Sequence, residues 1–207
     1  MRAAKSGQIT REMKIVAEDE GVSVEAVRRR VADGRIVITC NVKRSNIHPI
    51  GIGEGLRTKV NANVGTSPDL CNPDLEVEKA KVAVKYGADT VMDLSTAGDL
   101  DSIRESIIRA VNVPVGTVPI YQAAVEAIGK RGAIVDMTED DIFNTIEKHA
   151  KGGVDFMTVH CGVTMETVKK IAKHPRLMGI VSRGGTFLAA WILHNNKENP
   201  LYKNYDY

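Results

Sequence analysis

The sequence predicts an α/β fold built on a parallel sheet, and three observations carry that prediction. Apolar residues make up 43% of the 207 positions and aromatics only 4%. The core therefore rests on Val, Ile, Leu, Met and Ala, which suits a sheet covered by helices. From about Lys59 onward, short apolar runs alternate with segments of helical periodicity. A helix–Gly–Asp–strand unit also recurs: Gly87-Ala88-Asp89 leads into Thr90, and Gly153-Val154-Asp155 leads into Phe156.

The elements follow in order. Ile9 to Glu20 has apolar Ile9, Met13, Ile15, Val16 and Ala17 at helical spacing and stops at Gly21. Ser23 is placed to cap a second helix that ends near Gly34. Ile36 to Thr39 reads as a short strand. These form a small N-terminal helical extension, residues 1–58. Residues 59–207 carry the alternating part. Its expected strands are Lys59 to Val64, Thr90 to Leu94, Val113 to Val118, Phe156 to His160 and Gly179 to Val181. Its expected helices are Pro73 to Tyr86, Leu100 to Val111, a short Ala123 to Gly129, Glu139 to Lys151 and Met165 to Lys173, with a further one starting around Phe187 to Leu193. Glycine or proline follows most of them, as helix ends require.

About five βα units with right-handed crossovers give either a barrel or an open sheet. A barrel is favoured. No GxGxxG or GxxxxGK[ST] follows the first strand. Polar or special residues instead sit at the C-terminal ends of the strands, where barrel enzymes place their chemistry. The expectation is a partial (β/α)8 TIM-type barrel.

Charge and cysteine content exclude several classes. Against 28 basic residues stand 26 acidic ones, a net +2, which points to no nucleic-acid partner. No apolar run approaches the roughly 20 residues of a membrane span, and no signal peptide is visible. Cys40, Cys71 and Cys161 are far apart, with no CxxC pair, so a reducing cytoplasm is expected rather than a disulfide framework.

The candidate site residues lie at or just after strand ends. Asn61 and Asn63 share a face by alternation and offer amides to a heterocycle or sugar, or form an ordinary polar turn. Met92 fits an apolar wall under a flat ring, or core packing; Asp93 points to the other face. Tyr121 can bond a ligand or pack. His160 can act as acid, base, donor or metal ligand, or be a satisfied polar residue; no second His stands at ligand spacing. Cys161 reads as a small buried residue. Ser182-Arg183-Gly184-Gly185 opens a helix, where free amides and a guanidinium suit phosphate or carboxylate.

Long motifs then carry a resemblance. KVNANVGTS from Lys59, VMDLSTAGD from Val91, PVGTVPIYQA from Pro114, DFMTVHCGV from Asp155 and VSRGGTFLAAWILHNNKENPLY from Val181 resemble phosphomethylpyrimidine synthase, in that family's order. The N-terminal stretch ITREMKIVAEDEGVSVEAVRRRVADGRIVI is similar to it as well. The resemblance implies a (β/α)8 barrel that converts 5-aminoimidazole ribonucleotide to hydroxymethylpyrimidine phosphate. It implies radical chemistry with S-adenosylmethionine and a 4Fe–4S cluster, a divalent metal such as zinc, and a homodimer. Substrate contacts carried over by motif fall on Asn63, Met92, Tyr121, His160, Ser182, Arg183 and Gly184. The family's DGLR, its later Glu, its two metal-binding His and its CxxCxxxxC have no counterpart here. The resemblance places those ligands beyond Tyr207, so no catalytic or metal-ligating residue is assigned to this chain. A fragment, a truncated product or half of a split enzyme is expected. The competing expectations are a nucleotide-binding module without turnover and an aldolase-like barrel enzyme. No lysine at a clear strand end supports the latter.

Overall fold

Polar caps start most of the helices in the computed structural model, which describes residues 1–207. After α1 (Arg2–Lys5), α2 (Arg11–Glu20) begins where the Thr10 hydroxyl accepts from the Met13 amide. Likewise α3 (Val24–Ala32) begins where Ser23 accepts from Ala26. Met13, Val16 and Ala17 of α2 meet Val27 and Val31 of α3 in a small apolar core that also takes Ala4 and Ile36. Strand β1 (Ile36–Thr39) pairs antiparallel with β2 (Ile50–Gly53). The sequence did not announce β2: its Ile-Gly-Ile-Gly run offers two side chains and two strand-weakening glycines.

The larger part runs β3 (Asn61–Val64), α4 (Pro73–Lys85), β4 (Thr90–Asp93), α5 (Leu100–Ala110), β5 (Val115–Thr117), α6 (Pro119–Arg131), α7 (Glu139–Lys151), β6 (Phe156–Met157), α8 (Met165–Lys173), α9 (Arg183–Asn195) and α10 (Pro200–Lys203). Strands β3, β4, β5 and β6 lie in that order in one parallel sheet, giving an α/β fold. Gly179 to Val181, expected as a further strand, is not one. Gly179 takes φ +60°, outside strand geometry, and the Ile180 carbonyl accepts from the Thr186 hydroxyl rather than from a neighbouring strand. The segment expected as Phe156 to His160 pairs only through Met157, with one further bond from the Thr158 amide to Thr117. Tyr121 sits in the first turn of α6 rather than at a strand end, because Pro119 starts that helix earlier than expected.

Alternation sorts the sheet into two faces. Val64, Val91 and Val115 pack toward Ala80 of α4 and Ile103, Ile107 and Ile108 of α5. A second core gathers Ile120, Ala123 and Ala127 of α6, Ile142 of α7, and Leu188, Trp191 and Ile192 of α9. The Trp191 indole donates to the Met137 carbonyl at 2.7 Å, satisfying its buried N–H. The other face of the sheet carries Asn63, Met92, Gly116 and Phe156 in one cross-strand row.

The repeated Gly-x-Asp unit has a physical role. Asp89 accepts from the Val60 amide at 2.8 Å, and Asp155 accepts from the Val115 amide at 2.8 Å. Each aspartate thus fastens the start of the preceding strand. Each also holds an arginine of the N-terminal part: Arg57 for Asp89 and Arg44 for Asp155. The Arg57 guanidinium keeps the Asp89 carboxyl below the ordinary range. The Arg44–Asp155 pair, at 2.5 Å, is buried on both sides. Arg44 also donates to the carbonyls of Ile108, Val111 and Val113, and Asp155 accepts from the Asn41 amide.

Past β3, Gly65 takes φ +147°, and its amide donates to the buried Glu76 carboxylate at 2.6 Å. A Cβ there would lie 2.5 Å from the backbone nitrogen of Ser95. Gly65→Ala is expected to cost about 1–3 kcal/mol through strain and overpacking, read as a lowered urea midpoint. A wild-type midpoint would show that this loop yields. No helix of the chain is long and apolar enough to cross a membrane.

Candidate functional site

Ser182 caps α9, its Oγ accepting from the Gly185 amide at 3.1 Å. The same Oγ lies 3.1 Å from Nε2 of His160. The imidazole rests on Gly184, where a Cβ would come within 2.4 Å of ring atom Cε1. Gly184 is therefore what lets the histidine approach the start of the helix. Burial lowers the His160 pKa from its ordinary value, so the ring is neutral at pH 7. Its Nδ1 is buried and has no protein partner.

Asn199, which belongs to none of the expected site residues, positions this segment. It is fully buried and donates to the carbonyls of His160 and Val163, each at 2.9 Å. Its Oδ1 accepts from Leu201 as the cap of α10. The Asn-Pro step is the signal that could have revealed it.

Arg183 turns back over α6. Its guanidinium carbon stands 5.1 Å from the centroid of the Tyr121 ring, a cation–π geometry. Phe187, one helical turn after Arg183, meets Tyr121 edge-on at 6.1 Å. On the sheet, Asn63 and Met92 are register neighbours. The Asn63 Oδ1 accepts from the Asn61 amide at 3.0 Å, and Asn61 accepts in turn from the Thr90 hydroxyl. Met92 and Tyr121 pack against the same apolar cluster. The structure thus joins His160, Ser182 and Gly184 by contact, stacks Arg183 on Tyr121, and sets Asn63 beside Met92.

Asp93 points to the helix side, where it accepts from the Ser95 amide and hydroxyl, and burial pushes its carboxyl up. Beneath it lies a polar network whose centre, Arg104, Thr117, Gln122 and His149, is buried. Arg104 donates to Gln122 Oε1 at 2.8 Å, and that oxygen lies 2.8 Å from His149 Nε2. The Nδ1 of His149 is 2.9 Å from the Thr117 hydroxyl. Both Gln122 N–H groups go to carboxylates, Asp101 and Glu126, so its Oε1 can only accept. A hydrogen bond to that oxygen takes a proton on His149 Nε2, the nitrogen that also stands 3.1 Å from Arg104 Nη1. Burial first, and the neighbouring Arg104 cation second, lower the His149 pKa to about 3.

Comparison with known proteins adds what geometry alone does not. A family model described as the radical SAM ThiC family matches residues 1–207. The chain belongs to that family. Curated relatives named phosphomethylpyrimidine synthase share its sequence throughout. The one from Thermococcus gammatolerans is 59% identical over 207 residues, all of this chain and 49% of its own length. Those from Pyrococcus furiosus and Methanocaldococcus jannaschii are 59% and 57% identical, each over 48% of its length. The chain spans about half the length of the curated relatives it matches.

A radical S-adenosylmethionine family implies that cofactor and an iron–sulfur cluster. The thiols here do not fit the cluster. Cys40 ends the β1 region, Cys71 precedes α4 and Cys161 follows β6, all three unpaired. Burial raises the pKa of both Cys40 and Cys161, whereas cluster ligation needs thiolates. No three His, Cys, Asp or Glu side chains are grouped to hold a metal ion. Tyr207 is largely exposed. Its ring meets Phe143 of α7 edge-on, with centroids 5.5 Å apart.

Proposed function

We propose that this chain carries part of the substrate site of a phosphomethylpyrimidine synthase, the part that holds 5-aminoimidazole ribonucleotide. The observation that carries the reading is the α9 start: a capped helix end with His160 seated on Gly184 and Arg183 held beside it by Tyr121. Helix N-termini favour phosphate, and a guanidinium adds a charge-assisted contact. In this reading Ser182, Arg183 and the Gly184 backbone anchor the phosphate. His160, Tyr121 and Asn63 hydrogen-bond the ribose or ring, and Met92 packs against the ring. Neutral His160 suits donation and acceptance toward an uncharged heterocycle.

The parallel strands in sequential order support a (β/α)8 barrel for the whole enzyme, with residues 1–58 as an extension and 59–207 as part of the barrel. The whole enzyme would be a homodimeric lyase using S-adenosylmethionine, a 4Fe–4S cluster and a divalent metal such as zinc, the cluster and metal ligands lying beyond Tyr207. The residues present bind and orient the ribonucleotide; no cluster or metal step is assigned to them. Its three unpaired thiols suit a reducing cytoplasm.

Calorimetric titration with 5-aminoimidazole ribonucleotide tests this. The chain is expected to bind, and His160→Ala, Ser182→Ala and Asn63→Ala each to weaken affinity about tenfold, the loss of about one hydrogen bond. No binding, or binding that none of these variants changes, overturns the reading.

A further inference from the structure

We propose that Phe156 is a further positioning residue of this site, its ring forming with Met92 an apolar shelf against which the flat heterocycle of the ribonucleotide lies. The inference rests on the ribonucleotide reading above and adds the element that would select for an aromatic ring.

The case begins with where Phe156 does not pack. Trp191 belongs to the apolar core, and Tyr121, Phe143 and Phe187 pack against it. Phe156 joins none of the three apolar clusters, although its neighbour Met157, on the opposite face, packs into the helix-side cluster. The half-buried phenyl lies instead on the sheet face that carries Asn63 and Met92, in the same row: Asn63 opposite Met92, Met92 opposite Gly116, Gly116 opposite Phe156.

Gly116 sets the ring's attitude. A Cβ on Gly116 would lie 2.3 Å from both Cε2 and Cζ of Phe156 and 2.8 Å from Cδ2. The ring therefore lies across the β5 backbone, brought down to it by a residue without a side chain, rather than standing away from the sheet. The row reads amide, thioether, bare backbone, phenyl: polar at one end and flat and apolar at the other. Four residues on from Phe156 the chain reaches His160 and its contacts with Ser182 and Gly184. A ligand with a planar ring and a phosphate matches those two parts in kind. Aromatic faces accept any π-system, so such a shelf contributes ring recognition without reading a hydrogen-bond pattern.

The test separates the ring from the phosphate. The chain and its Phe156→Leu and Phe156→Tyr variants are titrated with 5-aminoimidazole ribonucleotide and with ribose 5-phosphate, which has no ring. Phe156→Leu is expected to bind the ribonucleotide about tenfold more weakly and ribose 5-phosphate as before, and Phe156→Tyr to keep wild-type affinity. The two imidazole C–H protons are expected to move upfield on binding to the wild type and to lose that shift with Phe156→Leu. Equal losses for both ligands, or no loss for either, overturn the proposal while leaving the phosphate site standing. Binding of neither ligand by the wild type ends the functional reading and this inference together. If Phe156→Leu does not fold, the wild-type proton shift decides, and its absence overturns the proposal.

Discussion

Replacing Asp155 by alanine is expected to remove about 3–5 kcal/mol of folding stability, among the largest losses available to a single side chain here. The carboxylate is fully buried and pairs with Arg44, itself only 4% exposed. It also accepts the amides of Asn41 and Val115. Truncation leaves a guanidinium inside the protein without its counter-charge and two amides without acceptors, and the carbonyls that Arg44 also meets supply only partial dipoles. Asp155→Asn, which keeps acceptor oxygen but not charge, is expected to fall between. Urea unfolding checks both. An alanine variant within 1 kcal/mol of wild type, on the order of a routine surface change, would show that Arg44 can reach water.

The second large effect is a loss of stability in mild acid, centred on His149. Its pKa is depressed to about 3 in the folded chain and returns to about 6.5 on unfolding. Between those values the unfolded chain binds the extra proton, so stability rises with pH and is lost as pH falls through this window. From pH 7 to pH 4 the loss is expected to be about 3 kcal/mol, on the scale of 1.36 kcal/mol per unit. Asp101 and Glu126, hydrogen-bonded to Lys148 and Gln122, have pKa values below their ordinary ones. Their contribution is present above the unfolded carboxylate range and disappears as pH falls further, so it follows that of His149 on the acid side. His149→Gln is expected to flatten the profile between pH 6.5 and 4 and leave the steeper fall below. If the variant and wild type lose stability in parallel between pH 7 and 4, the imidazole is not the group responsible.

Legibility in the sequence followed the strength of local signals. Helices α7 and α8 were readable to the residue because Thr138 and Thr164 cap them and Gly152 and Pro175 follow their ends. The four strands of the larger sheet were readable as existing and parallel, but not all of their ends were. A β-ladder ends where the partner strand ends, and one sequence does not display its partner. Gly179 to Val181 failed because short apolar runs next to glycine fit a turn as well as a strand. At the candidate site, the start of α9 at Ser182, Arg183 and Gly184 was legible from the helix-opening glycines, and His160 stood out by its position after an apolar run. Phe156 and Gly116 were not. An aromatic inside a strand reads as core, and only cross-strand register shows which face it takes. Asn199 was hidden for a similar reason, since both carbonyls it serves lie more than 35 residues away.

The Arg44–Asp155 contact joins residues 111 positions apart. On a ribosome adding roughly 5–20 residues per second, the arginine waits on the order of ten seconds for its partner to be made. During that interval the helices and hairpin of the N-terminal part can form, but the arm that bears Arg44 has nowhere to dock. Strand β5 meanwhile emerges without the clasp that later fastens its starting end. Docking of the arm therefore waits until Asp155 has been made, well after the N-terminal helices and hairpin.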